Sequence, residues 1–200
     1  MIDGKKIRLR AIEHHDLEFL LRLANDRTVS QSVVGWSLPL SMAHQERWFE
    51  ASVGDQQTRR LMVVDQHSDE PLGMTGLWDI DWHDRSALTA TKLIPEAQGR
   101  GIGTDAILTL AAWAFLDVGL RRLHSTILDF NGASLGVYVQ RCGWRIEGRE
   151  REAVFRNGRW CDRYLIALLR DDFHRHPEAE TYVRAVCPVD VEPVEPPPGA

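Results

Sequence analysis

The sequence lacks the features that mark several large classes of protein. It has only three cysteines in 200 residues, and Cys142, Cys161 and Cys187 follow no regular spacing, which argues against a disulfide framework and a zinc site. No stretch approaches 18 uninterrupted apolar residues, which argues against a transmembrane helix. The first residues lack the apolar core of a signal peptide. We therefore expect a cytoplasmic protein that binds no metal and no membrane.

An excess of basic residues is also missing. The formal net charge is −5, with 24 lysines and arginines against 29 aspartates and glutamates, which argues against a protein that holds nucleic acid through phosphate contacts. Apolar residues make up 44% of the chain and charged residues 26%, as in an ordinary globular protein. Five of the nine prolines fall within 187–200. We expect one domain over 1–172, followed over 173–200 by a short helix and a disordered, proline-rich tail.

Apolar periodicity and turn residues predict the element order β α α β β β α β α β β. Strands are predicted near 7–10, 61–64, 72–78, 87–94, 123–128, 145–155 and 160–169, and helices near 16–24, 42–51, 104–118 and 131–143. The short helix after the domain is predicted near 174–185. One helix joins the fourth and fifth strands, so these two can lie parallel with a right-handed crossover. Asn157 and Gly158 predict an antiparallel hairpin at the end. The fold class is therefore α/β, with a mixed sheet that is parallel only in its middle.

Three alternating glycines, Gly99, Gly101 and Gly103, stand between an apolar strand and an amphipathic helix. Glycine lets the backbone turn sharply and expose consecutive N–H groups. Together with the positive end of the following helix, these groups form an anion site. Arg100 adds a positive charge. A diphosphate is the expected ligand.

Three classes of diphosphate ligand compete for this loop. A P-loop needs Gly-Lys-Ser/Thr at the helix start, but Gly103 is followed by Thr104 and Asp105, which excludes nucleoside triphosphates. Residues 101–106 fit the G-x-G-x-x-A pattern of dinucleotide folds, with Asp129 at the end of the next strand. However, five residues separate the first of these glycines from its strand, and only one parallel unit follows. The third class is coenzyme A.

The loop and its surroundings resemble the GNAT N-acetyltransferase superfamily. Residues 98–103, Gln-Gly-Arg-Gly-Ile-Gly, match the Q/R-x-x-G-x-G/A motif of that family. With Pro95 and Glu96, the run is similar to the branch that contains the ribosomal-protein alanine acetyltransferases RimJ and RimL. The resemblance covers about residues 5–170. Further positions that carry it are 7–10, Asp16, Asn25, Asp26, Asn131, Ser134, Tyr138, Gly143, Trp144, Glu147, Gly148 and Asp162.

The resemblance implies an N-acetyltransferase that moves an acetyl group from acetyl-CoA to a primary amine by direct attack in a ternary complex. The acceptor would be a small-molecule amine or a protein N-terminus. The glycine loop would hold the pyrophosphate, and the pantetheine arm would lie where strands 87–93 and 123–128 splay apart. The cofactor-binding residues implied are Leu93, Ile94, Gln98, Gly99, Arg100, Gly101, Ile102, Gly103, Thr104, Asn131, Ser134 and Tyr138.

The resemblance also implies a general acid at Tyr138, four residues after Ser134 on one helical face. A phenol, with a reference pKa of about 10, is suited to protonating a leaving thiolate. Alternatively, Tyr138 packs under the last hairpin with its hydroxyl satisfied. Asn131 has the alternative role of a helix cap.

A general base is harder to find. Some family members carry a glutamate on the strand before the glycine loop, but residues 87–92 contain no acid. Asp79, Asp81 and His83 are the predicted candidates for the catalytic base instead, with Glu46 as a further candidate. Each of them alone is more often a solvated surface group than a base.

The acceptor site is predicted to involve Trp36, Trp78, Trp82 and His83, although core packing fits each tryptophan equally well. An acyl-cysteine route through Cys142 competes with a quiet buried thiol, which is favoured at a helix end. Two other functions remain open: a non-catalytic acyl-CoA-binding or regulatory module of this fold, and a dinucleotide-dependent oxidoreductase. The sequence also leaves the assembly open between a monomer and a homodimer.

Overall fold

The computed structural model describes residues 1–35 and 38–187. Over these residues the strands are β1 (Ile2–Asp3), β2 (Ile7–Ala11), β3 (Arg59–Asp65), β4 (Pro71–Asp81), β5 (Ser86–Leu93), β6 (Arg122–Leu128), β7 (Arg145–Arg156) and β8 (Arg159–Leu169). They form one sheet in the order β1-β2-β3-β4-β5-β6-β8-β7. Only β5 and β6 are parallel among the described strands. The predicted mixed sheet is confirmed, and its largely antiparallel order excludes a doubly wound dinucleotide fold.

The helices pack on both faces of this sheet. They are α1 (Leu17–Asn25), α2 (Arg27–Ser32), α3 (Met42–Ser52), α4 (Ile102–Leu116), α5 (Gly132–Leu135), α6 (Arg170–His174) and α7 (Ala179–Val186). Short 3-10 turns lie at His14–Asp16 and Pro95–Ala97, and a π-helical segment lies at Gly136–Arg141. The strand β1 and the helix α2 were not predicted, because two residues and six residues carry too little periodicity to be recognised.

Two predicted helices differ in the structure. The helix expected over 131–143 has regular α geometry only as far as Leu135, and then widens into the π-helical segment. The helix expected over 174–185 begins only at Ala179, as α7, and a turn with Pro177 separates it from α6, which was not predicted. Proline cannot donate the backbone hydrogen bond that a continuous helix would need there.

The two parallel strands separate after a short contact. They pair at Ser86 with Arg122, Ala87 with Leu123 and Leu88 with His124. Beyond these pairs β5 stays with β4 as far as Leu93, whereas β6 stays with β8 as far as Leu128. A wedge therefore opens between β5 and β6 toward their carboxyl ends, as the resemblance implied.

The helix α4 lies at the centre of the larger core and is buried on nearly all sides. The sequence predicted an amphipathic helix, but α6 and α7 cover its outer side. Phe173 of α6 packs on Phe115 with ring centroids 5.7 Å apart, and Tyr182 of α7 is also buried. Residues beyond position 172 thus contribute to the same core as the glycine-loop helix.

A smaller core lies on the opposite face of the sheet, beneath α1. Leu20 and Leu23 of α1 pack there on Met62 of β3 and Met74 of β4. The sheet consequently has a face toward α4 and a face toward α1 and α3. The wedge between β5 and β6 is open toward both faces.

Candidate active site

The glycine loop connects the end of β5 to the first turn of α4. Gly99 and Gly101 have φ angles of +72° and +82°, in the left-handed region that residues with a Cβ rarely adopt. Gly101 caps α4 in this conformation. Gly103 lies inside the helix, where a Cβ would be in ordinary contact with Leu93 at 3.6 Å. Glycine is therefore required by backbone geometry at the first two positions.

The loop presents its backbone and positive charge to solvent. Gln98, Gly99, Arg100 and Gly101 are all exposed at the amino end of α4. The ammonium group of Lys6, which sequence reasoning missed, donates to the carbonyl of Arg100 at 3.0 Å. Two cations and the positive end of a 15-residue helix thus surround the exposed N–H groups, which suits a diphosphate.

The first turn of α4 is anchored by Asp105. Its buried carboxylate accepts hydrogen bonds from the backbone N–H groups of Lys5, Lys6 and Ile7, at 3.0, 2.7 and 3.1 Å. This contact fixes the glycine loop against the turn between β1 and β2. Because that turn also carries Lys6, one set of hydrogen bonds positions both the loop and its additional cation.

Thr104 borders an open pocket of about 530 Å³ beside the end of the π-helical segment. Gln140, Arg141 and Arg175 also line it. The carbonyl oxygen of Thr104 is 3.9 Å from the thiol of Cys142. This pocket lies next to the first turn of α4, on the α4 face of the sheet.

Tyr138 lies in the π-helical segment and reaches β5 at the wedge. Its side chain is only 5% exposed, and its ring meets the ring of Trp144 edge-on, with centroids 5.0 Å apart. The phenol is hydrogen-bonded to Thr91, whose own hydroxyl is 2.9 Å from that of Thr75 on β4. A π-helical turn of this kind is frequent at functional sites.

Burial controls the protonation of both candidate groups on this segment. It raises the pKa of Tyr138 to about 12, against the opposing effect of the hydrogen bonds with Thr91. The phenol therefore keeps its proton at neutral pH, which is the state that a general acid needs. Burial likewise raises the pKa of Cys142 to about 12, which keeps this thiol neutral and opposes an acyl-cysteine route.

Asn131 holds two parts of the chain together beside the wedge. Its side-chain oxygen accepts from the N–H of Ser134 at 3.0 Å and caps α5. Its amide group donates to the carbonyl of Ser32, at the end of α2, also at 3.0 Å. The structure thus gives Asn131 the capping role, and Ser134 lies within the helix that leads to Tyr138.

The predicted catalytic and acceptor residues on the β4–β5 turn lie far from Tyr138. Asp81 accepts the backbone N–H groups of His83 and Asp84 at 2.9 and 2.8 Å and thereby closes the turn. This turn precedes Ser86, the first residue of β5. Ser86 and Thr91 are five positions apart on β5, a distance of about 17 Å at about 3.3 Å per residue.

The other residues predicted for catalysis or acceptor binding lie at separate places in the structure. Asp79 lies in the irregular end of β4, and its charge acts on His124 of β6. Trp82 is half exposed and donates to the carbonyl of Gln56 at 3.1 Å. Glu46 is exposed on α3. Trp36 lies outside the described residues.

Trp78 lines a pocket of about 400 Å³ on the α1 and α3 face of the sheet. The other residues that line it are Leu20, Ala24, Leu40, His44, Gln45, Trp48, Arg60, Met74 and Lys92. Lys92 follows Thr91 on β5, and successive strand residues point to opposite faces. The pocket is therefore on the other side of β5 from Tyr138, beside the same wedge.

Two cations in this pocket stack on its two tryptophans. The guanidinium of Arg60 lies 4.9 Å from the ring centroid of Trp48, and the ammonium of Lys92 lies 5.0 Å from that of Trp78. Burial and the charge of Arg60 lower the pKa of Lys92 to about 8. Sequence reasoning missed both cations, although a lysine in the otherwise uncharged strand at 87–93 was a visible signal.

Comparison with known proteins relates this arrangement to acetyl transfer. Residues 6–145 match the family described as "Acetyltransferase (GNAT) domain". The spermidine N(1)-acetyltransferase of Vibrio cholerae is 26% identical over 171 residues, covering 85% of this chain and 96% of that protein. The Escherichia coli K12 protein of the same name is 24% identical over 175 residues, covering 86% and 91%. A crystal structure of the Vibrio cholerae enzyme in complex with CoA and spermine matches 84% of this chain and 98% of its own, with a TM-score of 0.79 and 26% identity.

Proposed function

The chain belongs to the GNAT acetyltransferase family and is an acyltransferase that uses acetyl-CoA, and from this premise we propose its acceptor and its mechanism. The acceptor is the primary amine of a small molecule. The amine attacks the acetyl group directly, while donor and acceptor are bound together. The observation that supports this proposal most is the position of Tyr138, whose phenol touches β5 where the wedge opens.

The donor side of the site uses the glycine loop and the wedge. The N–H groups of residues 99–103, the amino end of α4, Arg100 and Lys6 hold the diphosphate. Leu93 and Ile94 border the path from this loop into the wedge. The thioester of acetyl-CoA supplies the activated acetyl group, and the wedge gives it access to both faces of the sheet.

Tyr138 acts as the general acid in this mechanism. The amine nitrogen bonds to the thioester carbonyl carbon, the carbon–sulfur bond breaks, and the phenol gives its proton to the leaving sulfur. The attacking nitrogen loses one N–H proton to water, which leaves a neutral amide. With its pKa raised to about 12 by burial, Tyr138 recovers that proton from water and returns to its neutral form.

The amine reacts in its neutral form without a carboxylate base. The pocket of about 400 Å³ that Trp78 and Lys92 line is called the Lys92 pocket. Among the described residues that line it there is no aspartate or glutamate. The positive charges of Arg60 and Lys92 instead disfavour a protonated amine nearby, since a like charge lowers the pKa of an ammonium group. The amine proton then leaves to water before attack, which accounts for the lack of an acid at 87–92.

The relatives support a small-molecule acceptor, because two of them are named spermidine N-acetyltransferases. The resemblance to the ribosomal-protein branch makes a peptide N-terminus the second candidate. A pocket of about 400 Å³ between α1, α3 and the sheet suits a small molecule better than a peptide chain.

Thiol release from acetyl-CoA tests the proposal, measured with a panel of small amines and with short peptides, and mass spectrometry identifies the products. We expect acetylated small amines. Peptide acetylation alone would favour the ribosomal-protein branch. Tight binding of acetyl-CoA without transfer to any amine would instead favour a non-catalytic acyl-CoA-binding module.

A further inference from the structure

The open pocket of about 530 Å³ beside the first turn of α4 lies next to the glycine loop. We call it the Thr104 pocket, because Thr104 lines it and directly follows Gly103 in the chain. The Lys92 pocket, in contrast, lies on the other face of the sheet. A ligand held by the glycine loop is therefore within reach of the Thr104 pocket.

Two arginines line this pocket from parts of the chain that are distant in sequence. Arg141 lies at the end of the π-helical segment, and Arg175 lies in the turn between α6 and α7. His176 connects the two segments. Its Nδ1 accepts the backbone N–H of Glu178 at 3.2 Å, so its proton is on Nε2, which donates to the carbonyl oxygen of Arg141 at 2.8 Å. The imidazole thus fixes both segments relative to each other and occupies neither guanidinium.

The two carboxylates in the pocket lining are each paired with a cation from outside it. Asp172 accepts from Arg145 at 2.8 Å, and from Arg175 at 3.1 Å. Glu178 is paired with Lys5, in the turn between β1 and β2. These two carboxylates are therefore neutralised even without a contribution from Arg141.

The guanidinium of Arg141 has no hydrogen bond or ion pair within residues 1–35 and 38–187. Together with Arg175 and the two cations from outside the lining, it sets four positive charges against two negative ones. A guanidinium presents a planar fork of N–H donors that matches a phosphate group. A phosphate monoester carries a charge of about −1.5 to −2 at neutral pH. Both the charge and the donors of the pocket suit such a group.

The coenzyme itself carries a phosphate monoester at the right place. In coenzyme A, the 3′ carbon of the ribose bears this phosphate, and the 5′ carbon of the same ribose bears the diphosphate. When the N–H groups of residues 99–103 hold the diphosphate, the 3′-phosphate is only one ribose away, and the Thr104 pocket begins one residue beyond the loop.

We propose that the Thr104 pocket binds the 3′-phosphate of acetyl-CoA through Arg141 and Arg175. The proposal rests on the proposed position of the diphosphate at the glycine loop, and it requires no particular acceptor. Arg175 lies beyond residues 6–145, which match the acetyltransferase family. The turn between α6 and α7 thereby gains a binding role in addition to the packing of its helices on α4.

Calorimetric titration of the purified full-length protein tests the proposal with CoA and with dephospho-CoA, which lacks only the 3′-phosphate. We expect CoA to bind at least about tenfold more tightly, in line with the loss of charge-assisted hydrogen bonds. Equal dissociation constants would overturn the proposal. Inorganic phosphate is titrated in parallel, and saturation with CoA should exclude it from the pocket. Equal phosphate binding with and without CoA would show a separate phosphate site instead, and the proposal would fail.

Substitutions assign the preference to the two arginines. Arg141→Gln and Arg175→Gln should each weaken the binding of CoA about five- to tenfold and leave that of dephospho-CoA nearly unchanged. The control is Arg184→Gln, because Arg184, like Arg175, has an exposed ion pair, with Glu180, but lies outside the pocket lining. It should change neither constant. An equal loss of affinity for both coenzymes in the two pocket variants would contradict the contact with the 3′-phosphate.

Gly101→Ala separates this proposal from the proposed position of the diphosphate. It should weaken the binding of both coenzymes to the same extent, because both carry the diphosphate. If it weakened neither, the diphosphate would lie elsewhere and the proposed donor site would fail. If it weakened both while CoA and dephospho-CoA bound equally well to the unchanged protein, the 3′-phosphate contact alone would fail. The comparison of the two coenzymes uses the unchanged protein, so it decides even where a variant does not fold.

Discussion

The phenol of Tyr138 is hydrogen-bonded to Thr91, at the point where β5 has already left β6. This contact joins the π-helical segment to β5, the strand that lies between the proposed donor half and the proposed acceptor half of the site. On the Thr91 side lie the glycine loop and α4, and on the side of the adjacent Lys92 lies the cationic pocket.

Replacing Tyr138 with phenylalanine should lower kcat by about 100-fold or more, since a general acid contributes roughly 10²–10⁴ to the rate. The dissociation constant of acetyl-CoA should change little, because the loop and α4 hold the diphosphate. Tyr182→Phe is the matched control: it removes another buried hydroxyl, which interacts with Asp105, and should leave kcat unchanged. Steady-state kinetics and coenzyme titration measure both constants. An unchanged kcat in Tyr138→Phe would leave this residue a packing role only.

Thr91 should act as a positioning residue for Tyr138. In Thr91→Val the side-chain hydrogen bonds to Tyr138 and Thr75 are lost, and we expect kcat to fall about three- to tenfold, consistent with a loss of about 1 kcal/mol. Thr91→Ser keeps the hydroxyl and should restore kcat. A serine variant as slow as the valine variant would show that packing, rather than the hydroxyl, matters here.

Gly101 should be needed for coenzyme binding because of its φ angle of +82°. Alanine at this position costs about 1–2 kcal/mol of backbone strain and should weaken acetyl-CoA binding about tenfold by displacing the N–H groups of the loop. Gly54→Ala is the control, since Gly54 has a φ of +81° with no atoms within 4 Å of a Cβ. It should lower thermal stability similarly and leave the affinity for acetyl-CoA unchanged, as measured by calorimetry.

The titration of Lys92 should appear in the pH dependence of acceptor-site binding. Its pKa of about 8 means that the ammonium form predominates below pH 8 and is lost as the pH rises through this value. An N-acetylated amino acid, used here as a product-like inhibitor, has no amine to titrate and keeps its carboxylate, so its inhibition constant reports the charge of the pocket alone. We expect this constant to increase between pH 7 and 9.5, and to stay nearly constant in Lys92→Arg, because arginine keeps its charge. A pH-independent constant in the unchanged protein would contradict the role of Lys92.

Asp81 should be dispensable for the reaction. It closes the β4–β5 turn about 17 Å along β5 from Thr91, and asparagine can accept the same backbone N–H groups. Asp81→Asn should therefore change kcat less than twofold and leave the acidic limb of the pH–rate profile in place. A tenfold fall in kcat, or loss of that limb, would return Asp81 to the mechanism as a base.

Much of the fold was predictable because its signals are local. Alternation of apolar residues located seven of the eight described strands, and the turn at Asn157 and Gly158 located the final hairpin. What escaped were short or irregular features. The π-helical segment around Tyr138 has the same sequence pattern as an ordinary helix, and the complete burial of α4 depends on α6 and α7, which pack on it from 54 or more residues further along the chain.

The sequence by itself determined the donor half of the site. A glycine loop, its arginine and the helix that follows are contiguous, so residue types and spacing suffice to predict an anion cradle between Leu93 and Thr104. Tertiary structure decided the proposed acceptor half. Arg60 and Lys92 are 32 positions apart and belong to different strands, and only the register of β3, β4 and β5 brings them into one pocket. The same register separates Asp81 from Tyr138. Side chains can meet only where their strands lie side by side, however close the residues are in the sequence.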